Sequence, residues 1–273
     1  MTTFTLPERW LFGGVDLSTF ATVTELSAGP GELPPLRGAD VPMASFDGER
    51  FNVKLYGARR ITLTLGITNT DAAGATTGTP TQAQTNLETL QTVLAVRRVR
   101  QNLVQVMPDT TQRTALAECV IFNSTIWQAG REYATIVADF QLSDPWFYAA
   151  DVVDASRDVS VSPTVFPITH PGTVRGNRVV FDILGPAANP EIVNAANGVS
   201  VQCLVTVAAT KHLIIDCDAW TALNDGVQAI GSIRHSGAYP FMYFEPGSNS
   251  LTWTATGLSA ASRLTTTFKP PFI

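Results

Sequence analysis

The second half of the chain consists of short segments that alternate apolar and polar residues and are separated by glycine, proline and asparagine. The predicted strands cover residues 178–184, 199–208, 211–216, 241–245 and 251–255. Turn signals between them are Gly185-Pro186, Asn189-Pro190 and Asn197-Gly198. Because alternation with a period of two gives each strand one core face and one solvent face, this pattern predicts a β-sandwich.

The last two of these strands are predicted to pair as a hairpin across Pro246-Gly247. Pro246 presets φ, Gly247 tolerates a positive φ, and the Asn249 side chain can hydrogen-bond to its own backbone. Aromatic and β-branched residues flank the turn on both sides, as they do in paired strands. The segment 237–254 therefore predicts one hairpin of the sandwich.

The first half also favours strands, with one helix among them. Alternating apolar residues predict a strand over 60–67 and another over 131–142, and the Pro108-Asp109 turn separates a predicted strand pair over 103–107 and 115–122. The helix is predicted over about 80–99, with Thr79 as the cap, Pro80 at the first helical position and Gln82 completing a capping box. Leu87, Leu90 and Leu94 share one face of that helix and are expected to pack on a sheet.

Length and composition predict two domains. A chain of 273 residues exceeds the usual size of a single core. We place an N-terminal β domain at 1–150 and a C-terminal β-sandwich at 151–273, with the polar run 151–158 as the linker. The long loops 28–42 and 69–79 in the first domain are expected to contact partners, since long loops without secondary structure are often functional.

Charge excludes a nucleic-acid partner. The net charge is −5, whereas phosphate neutralisation requires a basic surface. Arg97 and Arg98 belong to the one basic cluster, which is expected to complement the dipole at the end of the helix, with a subunit contact as the alternative. No apolar run approaches the ~20 residues of a membrane span, and the first residues do not resemble a signal peptide.

Catalytic and metal-binding patterns are weak in this sequence. Cys119, Cys203 and Cys217 lack metal-ligand spacing and are predicted to be buried free thiols. Asp216 and Asp218 lie two residues apart at a strand end, where a solvated end is favoured over a calcium site or an acid–base pair. Without a nucleophile elbow, a P-loop or a dinucleotide fingerprint, we expect no enzyme activity and no cofactor.

Four aromatic residues of the second half leave two interpretations open. Trp220, Tyr239, Tyr243 and Trp253 could stack against sugar rings if they are exposed, or fill the core if they are buried. Core packing is the favoured interpretation, and for Trp253 the alternation with Leu251 supports it. Sugar stacking by Trp220, Tyr239 and Tyr243 is the alternative.

The order of motifs along the whole chain resembles the distal tail proteins of siphophages, the long-tailed bacteriophages. The motifs are the strand over 10–17, the Leu-Pro-Pro-Leu-Arg-Gly loop at 33–38, the Arg-Arg-Ile strand start at 59–61, the single helix, the aromatic cluster at 144–148, and the segments 181–186, 189–192 and 246–251. The resemblance implies a mainly β fold with an N-terminal split β-barrel-like domain and a C-terminal galectin-like β-sandwich. The galectin sugar motif itself is absent, because Glu191 follows Asn189-Pro190 where galectins have arginine.

The resemblance also implies an architectural function in the virion tail tip. Proteins of that family form a hexameric ring, assembled in the host cytoplasm, that joins the tail tube to the tip or baseplate. The implied partners are further copies of the chain, the tail tube protein, the tape measure protein and the tail-associated hub protein. The expected ring contacts are Leu36, Arg37, Gly38, Asp71, Arg97 and Arg98. A carbohydrate-binding tail component that contacts the host envelope is the alternative.

Overall fold

The computed structural model of the chain describes residues 9–27, 33–38, 41–42, 49–50, 55–67, 69, 80–95, 99–128, 133–236 and 242–273. The chain divides into two units, which are Met1–Phe147 with Ile273, and Tyr148–Phe272. We call them the N-terminal and the C-terminal unit. Both consist mainly of β-strands, which confirms the predicted fold class.

The N-terminal unit is built on one curled, half-barrel sheet. Its strands are β1 (Arg9–Phe12), β2 (Val15–Asp16), β3 (Ala21–Ser27), β4 (Leu36–Arg37), β5 (Val41–Pro42), β6 (Glu49–Arg50), β7 (Leu55–Tyr56), β8 (Arg59–Ile67), β9 (Gln101–Val106), β10 (Gln112–Gln128), β11 (Tyr133–Leu142) and, at its end, β12 (Phe147–Tyr148). The main sheet has the order β2-β1-β9-β10-β11-β8-β3, while β4 pairs with β7 and β5 with β6.

Strict alternation of side chains builds the core of this unit. Ile61, Leu63, Leu65 and Ile67 of β8 are fully buried, as predicted. The predicted buried face of the neighbouring strand β11 is confirmed as well, from Ala134 to Leu142. The two faces merge in one apolar cluster because β8 and β11 pair in register along their whole common length.

The helix α1 (Pro80–Val93) is the only α-helix among the described residues. Its predicted apolar stripe is confirmed, since Leu87, Leu90 and Leu94 are buried in the core cluster of the sheet. The predicted end near residue 99 is wrong, since the helix stops at Val93. Gln82 donates to the Asn86 side chain at 2.9 Å. The predicted cap, Thr79, lies outside the described residues. No described helix has the length and apolarity that a membrane crossing requires.

The C-terminal unit contains two six-stranded sheets. Its strands are β13 (Val152–Asp158), β14 (Thr164–His170), β15 (Val179–Leu184), β16 (Ala187–Asn194), β17 (Val199–Cys203), β18 (Thr206–Val207), β19 (His212–Asp216), β20 (Thr221–Asn224), β21 (Val227–Gln228), β22 (Ile233–His235), β23 (Gly247–Thr256), β24 (Arg263–Phe268) and β25 (Pro271–Phe272). One sheet has the order β13-β24-β15-β19-β20-β21, and the other β14-β23-β16-β17-β22 with β18 beside β16.

A shared core joins the two sheets. Phe181 of β15, Trp253 of β23 and Phe244 are fully buried in one apolar cluster that draws on both sheets. The two sheets therefore form the sandwich that the alternating pattern predicts. Trp253 is a core residue, as favoured from the sequence.

The predicted hairpin across Pro246-Gly247 is wrong. Strand β23 starts at Gly247 and pairs with β14 and β16, whereas Phe244 makes only a single bridge, to Gly176. The first predicted residue of the partner strand, Phe241, lies outside the described residues. Gly247 has the positive φ that the turn signal predicts, at +90°, but the segments on its two sides pair with different neighbours.

Three further predictions are corrected by the strand pairing. The polar run predicted as a linker is strand β13, which pairs with β24 at the edge of a sheet. Asn189-Pro190 is not a turn between strands but lies inside β16, where the register shifts and Asn189 takes a positive φ. The predicted strand over 199–208 is interrupted after Cys203, and its last part forms β18.

Candidate assembly surface

The expected ring contacts Leu36 and Arg37 form strand β4, which pairs antiparallel with β7. Leu36 lies opposite Tyr56, and Arg37 opposite Leu55. Beyond the pairing, the Gly57 amide donates to the Pro35 carbonyl at 2.6 Å. We call the segments 33–38 and 55–57 the apolar ribbon. The sequence predicts a loop at 33–38, and the structure shows that two of these six residues, Leu36 and Arg37, form a strand.

Large apolar side chains of the ribbon are left uncovered. Leu33 is 61% exposed, Leu36 is 58% exposed and Tyr56 is 39% exposed. Arg37 is exposed as well. A group of exposed apolar side chains beside a cation is typical of a protein contact surface.

The aromatic cluster predicted at 144–148 supports the ribbon. Tyr56 makes an edge-to-face contact with Trp146, with ring centroids 5.0 Å apart. The Trp146 amide is in turn held by the Asp144 carboxylate at 3.3 Å, and Arg59 donates to the Pro145 carbonyl at 3.4 Å. The ribbon is therefore fixed to the framework of the N-terminal unit, and its exposed leucines are presented on an ordered base.

Gly38 ends the described part of the ribbon with a φ of +110°. Residues with a side chain rarely adopt that conformation, so glycine is required for the chain to turn here. The other expected ring contacts, Asp71, Arg97 and Arg98, lie outside the described residues. The helix α1 ends at Val93, four residues before Arg97.

The structure describes two of the three residues expected for sugar stacking, Trp220 and Tyr243. Trp220 is 57% exposed on the turn between β19 and β20, so core packing is wrong for it. Tyr243 is half-buried: the Arg175 guanidinium lies 4.9 Å from its ring centroid, and its carbonyl accepts hydrogen bonds from Asn194 and Asn197. Tyr239 lies outside the described residues.

Both carboxylates of the acidic pair at the end of β19 bind other groups of the protein. Asp216 accepts hydrogen bonds from the amides of Asp218 and Ala219, both at 2.9 Å, and Asp218 forms an ion pair with Arg178 at 3.6 Å. The two carboxylates therefore have separate partners, which agrees with the favoured structural interpretation. Among the described residues, no group of three His, Cys, Asp or Glu side chains has the geometry of a metal site.

Cysteine chemistry is suppressed by burial. All three cysteines are free and buried, as predicted. Burial raises the pKa of Cys119 and of Cys203 to about 11, and that of Cys217 to about 12. Since the thiolate is the reactive form, these thiols are packing residues and not nucleophiles.

Comparison with solved structures identifies the fold. The SPP1 Dit protein (gp 19.1), described as a paradigm of the hub adsorption apparatus in phages that infect Gram-positive bacteria, matches over 100% of both chains with a TM-score of 0.66 and 17% identity. A chain of the phage p2 baseplate in its activated conformation matches 96% of this chain and 97% of its own length, at a TM-score of 0.42 and 9% identity. No protein-family model and no curated protein matches this chain. The fold predicted from the order of motifs is confirmed by the first of these structures.

Proposed function

We propose that this chain is a distal tail protein, the hub that joins the tail tube to the tail tip or baseplate of a long-tailed bacteriophage. The observation that carries the proposal is the match to the SPP1 Dit protein along the full length of both chains. A match of both units in one chain is more specific than a match of either unit, because sandwiches and curled sheets each serve many functions. The protein is structural in this proposal and acts in the virion tail.

The proposed assembly is a hexameric ring made by the N-terminal units. A ring requires two different patches on each copy, one of which binds the other on the next copy. The apolar ribbon supplies one candidate patch, since Leu36 and Tyr56 are exposed and anchored. Strand β3 supplies the second: it lies at the end of the sheet order and pairs only with β8 among the described strands. Unpaired strand edges are ready sites for another chain.

The remaining partners follow from the position of such a hub. The ring would contact the tail tube protein on one side and the tail-associated hub protein on the other, with the tape measure protein in the lumen. Loop residues near Asp71, Arg97 and Arg98 are proposed to complete the contacts. Low charge, 15% of all residues, suits a protein that gives much of its surface to stable contacts with other subunits.

Analytical ultracentrifugation tests the proposed ring and the contribution of the ribbon to it. We expect the purified chain to sediment as a hexamer, and Leu36→Asp to shift it to a monomer because a carboxylate would be buried without a partner in the contact. The matched control is Val161→Asp, which places the same charge on a residue of the C-terminal unit that is 67% exposed. A monomeric wild-type chain at high concentration contradicts the ring. A hexamer in both variants retains the ring but removes the ribbon from its contacts.

A further inference from the structure

Glu118 is a carboxylate without a partner on the main sheet of the N-terminal unit. It lies on the outward face of β10, because Ala117 and Cys119 on either side of it are buried in the core. No described group forms a hydrogen bond or an ion pair with it. Arg60, two strands away in the same row of the sheet, is paired with Asp139 at 3.6 Å. Each of the other carboxylates of this unit whose side chain is described accepts a hydrogen bond or forms an ion pair.

Leu116, two residues before Glu118, is an exposed apolar residue on the same face of β10. Its side chain is 47% exposed. The other exposed large apolar side chains described in this unit are Val99 and the three of the apolar ribbon. Leu116 is therefore the one that the main sheet exposes, among the residues whose exposure the structure describes. We call Leu116 and Glu118 the β10 patch.

The apolar ribbon presents the opposite charge beside the same kind of apolar side chain. Arg37 is exposed and has no ion pair or hydrogen bond with any described group, and Leu36 next to it is 58% exposed. Consecutive residues of a strand project from opposite faces, so a contact with both side chains must meet the edge of β4. That edge is open, since β4 pairs only with β7 among the described strands.

We propose that the edge of β4 in one copy of the chain docks on the β10 patch of the next copy, with Leu36 against Leu116 and Arg37 paired with Glu118. This inference rests on the proposed ring and names the residues of its contact. The pairing compensates two charges and covers two leucines that a single copy leaves exposed. The two surfaces are different, as the contacts of a ring require. A second copy is favoured over another tail protein because this chain supplies both complementary surfaces.

The β10 patch is compatible with strand β3, which is the second surface of the proposed ring contact. Strands β11 and β8 separate β10 from β3 in the sheet order. At about 4.8 Å for each strand spacing, β3 lies about 14 Å from β10. A protein interface of ordinary size, about 800 Å² on each partner, is wide enough to include both. The surface that receives the ribbon thus extends from the edge of β3 to the outward face of β10.

Cysteine cross-linking of the full chain tests this contact. Arg37→Cys and Glu118→Cys are combined in one chain and treated with a short bis-maleimide, because an arginine–glutamate pair holds its Cβ atoms too far apart for a disulfide. The native cysteines are buried, and the wild-type chain treated in the same way is the blank. We expect a ladder of products from dimer to hexamer on a denaturing gel. The matched control combines Arg37→Cys with Glu88→Cys on the exposed side of α1 and is expected to stay at monomer size.

The size of the products separates this contact from the ring itself. Products that stop at the dimer show a two-fold pair, and products that stay at monomer size show that no contact between copies links these positions. Either result overturns the proposal. If the untreated chain still sediments as a hexamer, the proposed ring remains and only this contact is removed from it. A wild-type chain that sediments as a monomer overturns both.

Exchange of the two charges tests the pairing directly. Arg37→Glu and Glu118→Arg each place like charges opposite one another, and each is expected to raise the dissociation constant of the assembly by about tenfold or more. The chain with both substitutions again has opposite charges in the contact and is expected to form the hexamer at the concentration at which the wild type does. Sedimentation of the four proteins measures this. Equal association of all four, or no recovery in the double variant, overturns the proposal.

Discussion

The Asn249 carboxamide closes both backbone hydrogen bonds of Glu245: its Oδ1 accepts from the Glu245 amide at 3.0 Å, and its Nδ2 donates to the Glu245 carbonyl at 2.8 Å. A second buried asparagine, Asn194, donates to the same Oδ1 at 3.0 Å and to the Tyr243 carbonyl at 3.1 Å. A side chain therefore replaces the neighbouring strand that the turn signal at Pro246-Gly247 predicted. This network ties the start of β23 to the segment before it.

Loss of this network is expected to destabilise the C-terminal unit. Asn249→Ala leaves the Glu245 amide and carbonyl without their partner, and we expect a loss of about 2–3 kcal/mol in the free energy of unfolding. The exposed neighbour Ser248 supplies the control, since Ser248→Ala removes a hydroxyl from the same strand at little cost. Chemical denaturation monitored by fluorescence measures both. Equal midpoints for the two variants would show that the asparagine network contributes no net stability.

Gly185 is expected to tolerate no side chain. A Cβ at this position would lie 2.2 Å from the Ala208 carbonyl oxygen and 2.7 Å from that of Val207, and both are backbone atoms that cannot move aside. We expect Gly185→Ala to cost about 2 kcal/mol or more in unfolding free energy, as in other overpacked sites. Gly231→Ala is the matched control, because its Cβ would meet nothing within 4 Å. A neutral Gly185→Ala would mean that the approach of β18 to this position is looser than described.

His170 is expected to make the stability of the C-terminal unit depend on pH. Its ring is buried, stacks on Phe268 with centroids 5.8 Å apart, and would be struck by any Cβ on Gly172 or Gly176. Neither ring nitrogen has a hydrogen-bond partner among the described residues. Burial lowers the pKa of His170 below its ordinary value of 6.5, because the charged ring would lose its hydration.

The direction of the pH effect follows from this lowered pKa. Below pH 6.5 the unfolded chain binds a proton that the folded chain resists, so stability decreases as the pH falls from 6.5 towards the folded pKa. The change of stability with pH is measured from thermal or denaturant midpoints between about pH 7.5 and pH 5.5. This pH range spans the ordinary pKa of histidine. His170→Gln is expected to flatten it, whereas His235→Gln, at an exposed strand, is expected to leave it unchanged. An unchanged slope in His170→Gln would assign the pH dependence to other groups.

Local patterns were sufficient to predict much of the fold. The buried faces of β8 and β11 and the apolar stripe of α1 followed from periodicity, because each depends only on residues of its own segment. Periodicity within a segment does not predict which strands pair. Strand β23 lies between β14 and β16, which are about 80 and 60 residues earlier in the chain. Likewise, the polar composition of 151–158 concealed an edge strand, since edges tolerate polar residues on both faces.

The candidate sites were predicted less completely than the fold. The loop motif indicates Leu36 and Arg37, but the support of their strand by Trp146 depends on the contact of Tyr56 with Trp146, which are about 90 residues apart in sequence. The usual burial of aromatic residues predicts a core position for Trp220, whereas the side chain is exposed. Its residue takes a positive φ, which the sequence does not signal with a glycine.

The central claim, that this chain forms the ring of a tail hub, is tested most directly by negative-stain electron microscopy of the purified full-length protein. Class averages are expected to show a ring with six-fold rotational symmetry and a central channel. Particles of monomer size at every concentration, also in the presence of the tail tube protein, would contradict the account.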